Sequence, residues 1–157
     1  MAQELPIRCY GVSSFLLKKD SGDYRVLLLK RKDTIQGAWT GIAGKIEEGE
    51  KAWQAILREI KEEAGLTPEK LYSTDTCEQF YEIDDESIWI APVFVAYVSN
   101  DAAVTINEEH SEFGWFAFEE AILKVTFPEQ RRILRQIQEE FIQRQPVEWL
   151  LIDTHQS

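Results

Sequence analysis

GKIEEGEKAWQAILREIKEEAGL, Gly44 to Leu66, is the stretch that decides how this chain is read. From Lys51 to Ala64 its apolar residues recur at helical spacing. At about 100° per residue, Trp53, Ile56, Leu57, Ile60 and Ala64 fall on one stripe. Gly65 stands where a helix ends in a left-handed turn. The same rotation gathers Glu59, Glu62 and Glu63 on a neighbouring stripe, because offsets of three and four return to one face. The apolar stripe suits a sheet and leaves the glutamates at its edge.

Like charges at those offsets repel, at about a few tenths of a kcal/mol per pair in an isolated helix. A face that served only solubility would interleave lysines there, yet Lys61 falls on the opposite side. A hard divalent cation relieves the repulsion, since Mg²⁺ and Mn²⁺ take oxygen ligands. Taken alone, the three glutamates fit a solvated acidic face equally well. Their flanks shift the balance. Gly41 and Gly44 bracket the preceding loop, where backbone can approach a ligand closely. Glu50 lies near the helix start, where a carboxylate suits the helix dipole. Arg58 can hold a neighbouring carboxylate in one orientation by a bidentate pair.

The segment resembles the Nudix box, GX5EX7REUXEEXGU with U a bulky aliphatic residue. Gly44, Glu50, Arg58, Glu59, Ile60, Glu62, Glu63, Gly65 and Leu66 occupy its fixed positions. The resemblance implies an α/β/α sandwich and hydrolysis of a diphosphate linked to a nucleoside. It implies Glu59, Glu62, Glu63 and the Gly44 carbonyl as metal-binding groups for Mg²⁺ or Mn²⁺, with Arg58 orienting Glu59. Downstream, Asn107-Glu108-Glu109-His110 followed by Trp115 is similar to the family's EHxxxxW pattern. That register makes Glu109 a further metal ligand or the general base, and His110 a structural or rim residue. Whether Glu59 or Glu109 takes the proton stays open at this level.

Substrate contacts are less defined. Trp39, just before the glycine loop, could stack on a base or serve the core; Lys45, Arg31 and Tyr81 are candidates for phosphate or ring contact. The tail Thr126-Phe127-Pro128-Glu129-Gln130-Arg131-Arg132 resembles the dihydroneopterin triphosphate and dNTP pyrophosphohydrolase-like branch. That branch would release a monophosphate and pyrophosphate. Dinucleoside polyphosphate hydrolysis is the alternative, and a Nudix-fold sensor that binds nucleotide without cleaving it is the rival from another class.

Around the box, Ile7 to Leu17 and Tyr24 to Leu29 read as a strand pair about the turn Ser21-Gly22-Asp23. Trp39 to Ile46 reads as a short strand entering a loop. Leu71 to Ile83 and Ile88 to Val98 read as longer strands, Phe113 to Phe118 as a short one, and Pro128 to Arg144 as a second helix with Ile133, Leu134, Ile137, Phe141 and Ile142 at helical spacing. This order predicts an α+β fold with a central mixed β-sheet between helices. The 157 residues suit one domain, residues 1–157.

The net charge of −11 disfavours binding to a nucleic-acid backbone or to an anionic membrane. It does not exclude a small anionic substrate, because a bound cation reverses the local field. Cys9 and Cys77 sit in no metal-binding spacing and suit reduced thiols in a cytoplasmic protein. The start MAQELPIRCY lacks the charge and apolar pattern of a signal peptide. Five tryptophans could supply a homodimer interface, though nothing in the pattern localises one.

Overall fold

Two runs of apolar residues are buried on both faces and thereby set the layers. In Phe15-Leu16-Leu17, Phe15 and Leu17 enter one core while Leu16 enters another. In Val26-Leu27-Leu28-Leu29, Val26 and Leu28 join the first core, Leu27 and Leu29 the second. Successive strand residues point to opposite faces, so such runs belong to a sheet covered on both sides. The computed structural model, which describes residues 1–156, has that architecture.

The strands are β1 (Ile7–Arg8), β2 (Gly11–Asp20), β3 (Asp23–Arg31), β4 (Trp39–Thr40), β5 (Ile42–Lys45), β6 (Lys70–Glu82), β7 (Ser87–Tyr97) and β8 (His110–Ala117). Helix α1 (Ala52–Ala64) covers one face; α2 (Phe118–Lys124) and α3 (Pro128–Ile137) cover the other. The sheet is mixed: β2 runs parallel to β7, and β6 pairs antiparallel with the far edge of β7. This is the α+β sandwich that the element order predicts.

β2 and β3 form a hairpin from Leu17↔Val26 to Asp20↔Asp23, then separate. β5 pairs with Gly11 to Ser14 of β2, and β4 pairs with Leu29 and Lys30 of β3. The chain from 39 to 45 is thus wedged between two diverging strands. Gly41 makes the crossing possible, since a Cβ there would lie 2.3 Å from the Ser14 carbonyl oxygen and 2.9 Å from the Phe15 ring.

Several boundaries differ from the sequence expectation. The first strand breaks after Arg8 and resumes at Gly11, continuing to Asp20. Residues 39–46 form two short strands about Gly41 rather than one. β8 begins at His110, which brings that residue into the sheet. α2 begins at Phe118, the last residue of the expected strand, and covers a stretch for which no element was expected; seven residues are few for periodicity to show. The last helix changes to a π-helix over Gln138–Gln143, a shift that leaves Phe141 buried with its ring edge-on to Tyr72.

Candidate active site

Helix α1 is anchored by its apolar stripe. Ala55, Ile56, Ile60 and Ala64 are fully buried against the sheet, while Trp53 and Leu57 are only half-buried. Gly65 ends the helix at φ 70°, and its N–H donates to the Lys61 carbonyl. The Gln54 side chain accepts from the Lys51 N–H at 2.9 Å, fixing the start. This geometry sets the depth of the three glutamates. Glu62 is exposed, Glu59 is largely buried and Glu63 is buried at 4% exposure. Glu63 therefore lies beneath the helix rather than at the sheet edge, beyond what a two-stripe projection conveys.

Arg58 gathers the loop and the helix. Its Nε and Nη2 donate to the two oxygens of Glu50 at 2.8 and 3.0 Å. Nη2 also donates to the Lys45 carbonyl at 2.8 Å, and Nη1 donates to Glu59 at 2.8 Å and to Glu62 at 3.3 Å. The hydrogen bonds that Arg58 donates to Glu50 raise the Arg58 pKa and lower that of Glu50. Glu50 also accepts from the Glu47 N–H at 2.8 Å, so this one ion-paired group shapes residues 45–50. Gly44 is required by its neighbour: a Cβ there would lie 2.2 Å from the Glu59 carboxyl carbon. The glycine admits Glu59 between α1 and β5.

Glu63 faces a second constellation. Its Oε1 lies 3.6 Å from His110 Nε2, and ligand atoms of Glu63, Glu109 and His110 all lie within 4.8 Å of one another. Glu109 is held by a turn in which its N–H donates to Asn107 Oδ1 at 3.1 Å. Its own carbonyl accepts from the Lys32 N–H at 3.0 Å. Burial pushes the Glu63 carboxyl up to about 9, aided by its hydrogen bond with Glu59 and by the Glu59 and Glu109 charges. Arg31, paired in register with His110, works the other way. Burial also lowers the His110 pKa, which favours a neutral ring that can offer a lone pair. Glu63 Oε2 and His110 Nδ1 are buried and lack hydrogen-bond partners among the described residues.

These observations test the site against a divalent cation. Three converging carboxylates, one neutral imidazole and an orphaned buried oxygen form a donor set rich in oxygen and short of positive charge. The residues fit such an ion. His110, expected as a structural or rim residue, lies beside Glu63; its place in β8, in register with Arg31, depends on a strand boundary that residue patterns do not locate.

The substrate candidates separate. Arg31 is near the carboxylates, with its guanidinium donating to Thr34 Oγ1 at 2.7 Å. Lys45 lies over the Tyr10 ring at 5.6 Å. Trp39 packs on the opposite face of the sheet from α1, edge-on to Phe116 and beneath Lys124. Tyr81 is exposed near the β6–β7 turn and donates its hydroxyl to Glu86.

The NUDIX domain family matches residues 8–137. The bis(5'-nucleosyl)-tetraphosphatase [asymmetrical] of Caenorhabditis elegans is 33% identical over 99 residues, spanning 62% of this chain and 71% of that one. The RNA pyrophosphohydrolase of Sphingopyxis alaskensis is 30% identical over 158 residues, spanning 88% and 94%. A crystal structure of a C. elegans Ap4A hydrolase binary complex superposes with a TM-score of 0.72 at 28% identity, over 82% of this chain and 94% of that one. The chain belongs to the Nudix family and is a hydrolase of phosphoanhydride bonds. Among the described residues, no helix is long and apolar enough to cross a membrane.

Proposed function

We propose that this chain, acting as one domain over residues 1–157, cleaves the diphosphate of a nucleoside or pteridine triphosphate to a monophosphate and pyrophosphate. The observation that supports it most directly is the convergence of Glu59, Glu63 and Glu109 about a buried, unpartnered oxygen. Glu59, Glu62, Glu63, Glu109 and the Gly44 carbonyl would hold Mg²⁺ or Mn²⁺, with His110 beside them. Such an ion, when bound, neutralises diphosphate oxygens and makes a water more acidic.

The chain's own groups do the rest. Arg58 fixes the orientation of Glu59, so that a carboxylate stands ready without searching rotamers. Either Glu59 or Glu109 accepts the proton of the attacking water. Arg31 lies near the carboxylates and supplies positive charge for phosphate oxygens, while Lys45 stands over the Tyr10 ring on the other face of β5. The rim formed by residues 45–50, exposed apart from the half-buried Ile46 and Glu50, is kept in shape by the Arg58 network.

A second reading has its own support. The similarity to the C. elegans tetraphosphatase favours a dinucleoside polyphosphate. One experiment covers both: purified protein with Mg²⁺ or Mn²⁺ and a panel of nucleoside triphosphates, dihydroneopterin triphosphate and dinucleoside polyphosphates. Release of pyrophosphate from triphosphates supports the first reading; preference for the dinucleotides supports the second. Binding of the panel without turnover would leave a sensor and remove both.

A further inference from the structure

Outside the box, the chain buries another carboxylate that the hydrolytic machinery leaves unused. Glu78 on β6 is 8% exposed, and Gln130 in the first turn of α3 is 9% exposed. Burial pushes the Glu78 carboxyl up to about 7, against a hydrogen bond from the Gln130 side chain. A carboxylate needs a donor, which turns the Gln130 Nε2 toward it and its Oε1 away. That Oε1 is buried and has no hydrogen-bond partner among the described residues. The nearby cation is committed elsewhere: Arg132 is bidentate on Glu129 at 2.6 and 3.0 Å and donates to the Cys77 carbonyl at 3.0 Å. Two hydrogen-bond acceptors thus stand together, Glu78 served by the Gln130 amide and the Gln130 Oε1 by nothing among the described residues.

What surrounds this pair points to a planar ligand. Register places Glu78 opposite Ala91 and Phe80 opposite Trp89, so all four share one face of the sheet. The Phe80 and Trp89 rings stack, parallel within 3° and with centroids 6.4 Å apart, so flat apolar rings stand beside the pair. The Trp89 ring reaches over Gly11, where an added Cβ would lie 3.4 Å from it. Gly11 is paired with Lys45, the residue that follows Gly44 in the box. One row across the α3 face of the sheet therefore runs from the acceptor pair, past the rings, to Lys45, and the adjacent Gly44 opens onto Glu59 on the α1 face.

We propose that this face seats the heterocycle of the substrate, with Glu78 and Gln130 selecting a ring whose edge carries two adjacent N–H donors. Guanine and pterins share that 2-amino-4-oxopyrimidine edge. Each of the two acceptors then receives a donor. Adenine offers an amino donor beside a ring-nitrogen acceptor, so one protein acceptor would face a lone pair. A site built to hydrogen-bond a substrate discriminates most strongly when the wrong ligand leaves its buried groups unpaired. The ring itself stacks against Trp89 and Phe80, a sequence-tolerant contact that adds affinity without selecting the base.

The inference rests on the hydrolase reading, and the experiment separates the two. The full chain is assayed with Mg²⁺ against GTP, dihydroneopterin triphosphate, ATP and UTP, and kcat/KM is compared. A preference of tenfold or more for GTP or the pterin over ATP and UTP is expected. GTP ahead of the pterin assigns guanine, and the reverse assigns pteridine; both support the site. Turnover with no such preference overturns the site while leaving the hydrolase intact. No turnover on any of the four overturns the triphosphate reading, and calorimetric binding of GMP against AMP then decides the site, with equal affinities overturning it. Gln130→Met keeps the volume and removes the acceptor, and the two-donor over ATP ratio should fall about tenfold or more. Circular dichroism checks that this variant folds. If it does not, Gln130→Glu, which retains an acceptor, should keep the ratio within threefold, and an equal loss in that variant overturns the assignment.

Discussion

Glu63 and Glu78 are both buried glutamates with raised pKa values, yet their surroundings are opposite in kind. Glu63 lies among like charges, with Glu59 and Glu109 adding to the effect of burial. Glu78 lies beside an amide that donates to it and near Arg132, and its carboxyl rises only to about 7. The first arrangement is incomplete without positive charge from outside. The second is nearly complete and lacks only hydrogen-bond donors. Burial alone therefore does not say what a carboxylate is for; the partners arranged around it do.

The comparison can be broken at its charged end first. Glu59→Gln should lower turnover by about 10²–10⁴-fold, the range for a group that handles a proton. Phosphate-release kinetics measure it, and the melting temperature in chelator should not fall with it. A parallel loss of stability would make Glu59 a structural residue. Gly44→Ala should act through the same carboxylate. The added carbon would overlap Glu59 and force it off its rotamer, at about 1–3 kcal/mol of overpacking. Thermal unfolding and turnover should both decline.

Next comes the link between metal and stability. Wild type should gain about 2.7 kcal/mol at a Mg²⁺ concentration of about one hundred times its Kd. Glu63→Gln should lose most of that gain while melting higher than wild type in chelator near neutral pH, since a buried carboxyl that must take up a proton on folding is gone. Glu78→Gln should keep the gain. Equal behaviour of the two variants would erase the distinction drawn here.

The smallest effect is a pH dependence. The folded-state pKa of Glu78, about 7, lies above its ordinary value of 4.5. The folded protein then holds a proton that the unfolded chain has lost. That contribution to stability is present below about pH 4.5 and disappears as pH rises toward about 7. Across this window Glu78→Gln should melt with a shallower decline than wild type. Matching slopes would mean that Glu78 is already ionised throughout.

Much of this was legible in residue order, and the reasons for the gaps are physical. Helical spacing in α1 placed the apolar stripe and the carboxylates on neighbouring faces, and Gly65 marked the end, because both depend on local geometry. The burial of Glu63 was not legible, since depth depends on what the sheet and the 102–109 segment lay over the helix. The place of His110 beside Glu63 was not legible for a related reason: it follows from register with Arg31 across β3 and β8. Trp39 stands close to the box in the chain but on the other side of the sheet, a consequence of the turn at Gly41. Glu78 and Gln130 are far apart in sequence, and neither belongs to a motif.

One consequence follows from the wedge of β4 and β5 between diverging strands. Within β5, Gly44 faces α1 and admits Glu59, while Lys45 faces the other side and lies over Tyr10. A single peptide step thus joins the two sides of the molecule. Insertion or deletion of one residue in 42–45 would exchange the two directions, driving lysine toward the glutamate and leaving glycine under the ring. Length change should therefore be tolerated in the loop before Trp39 and in the turn after Ile83, and be refused in these four residues. Libraries of single-residue insertions, selected for folding, would read that pattern directly.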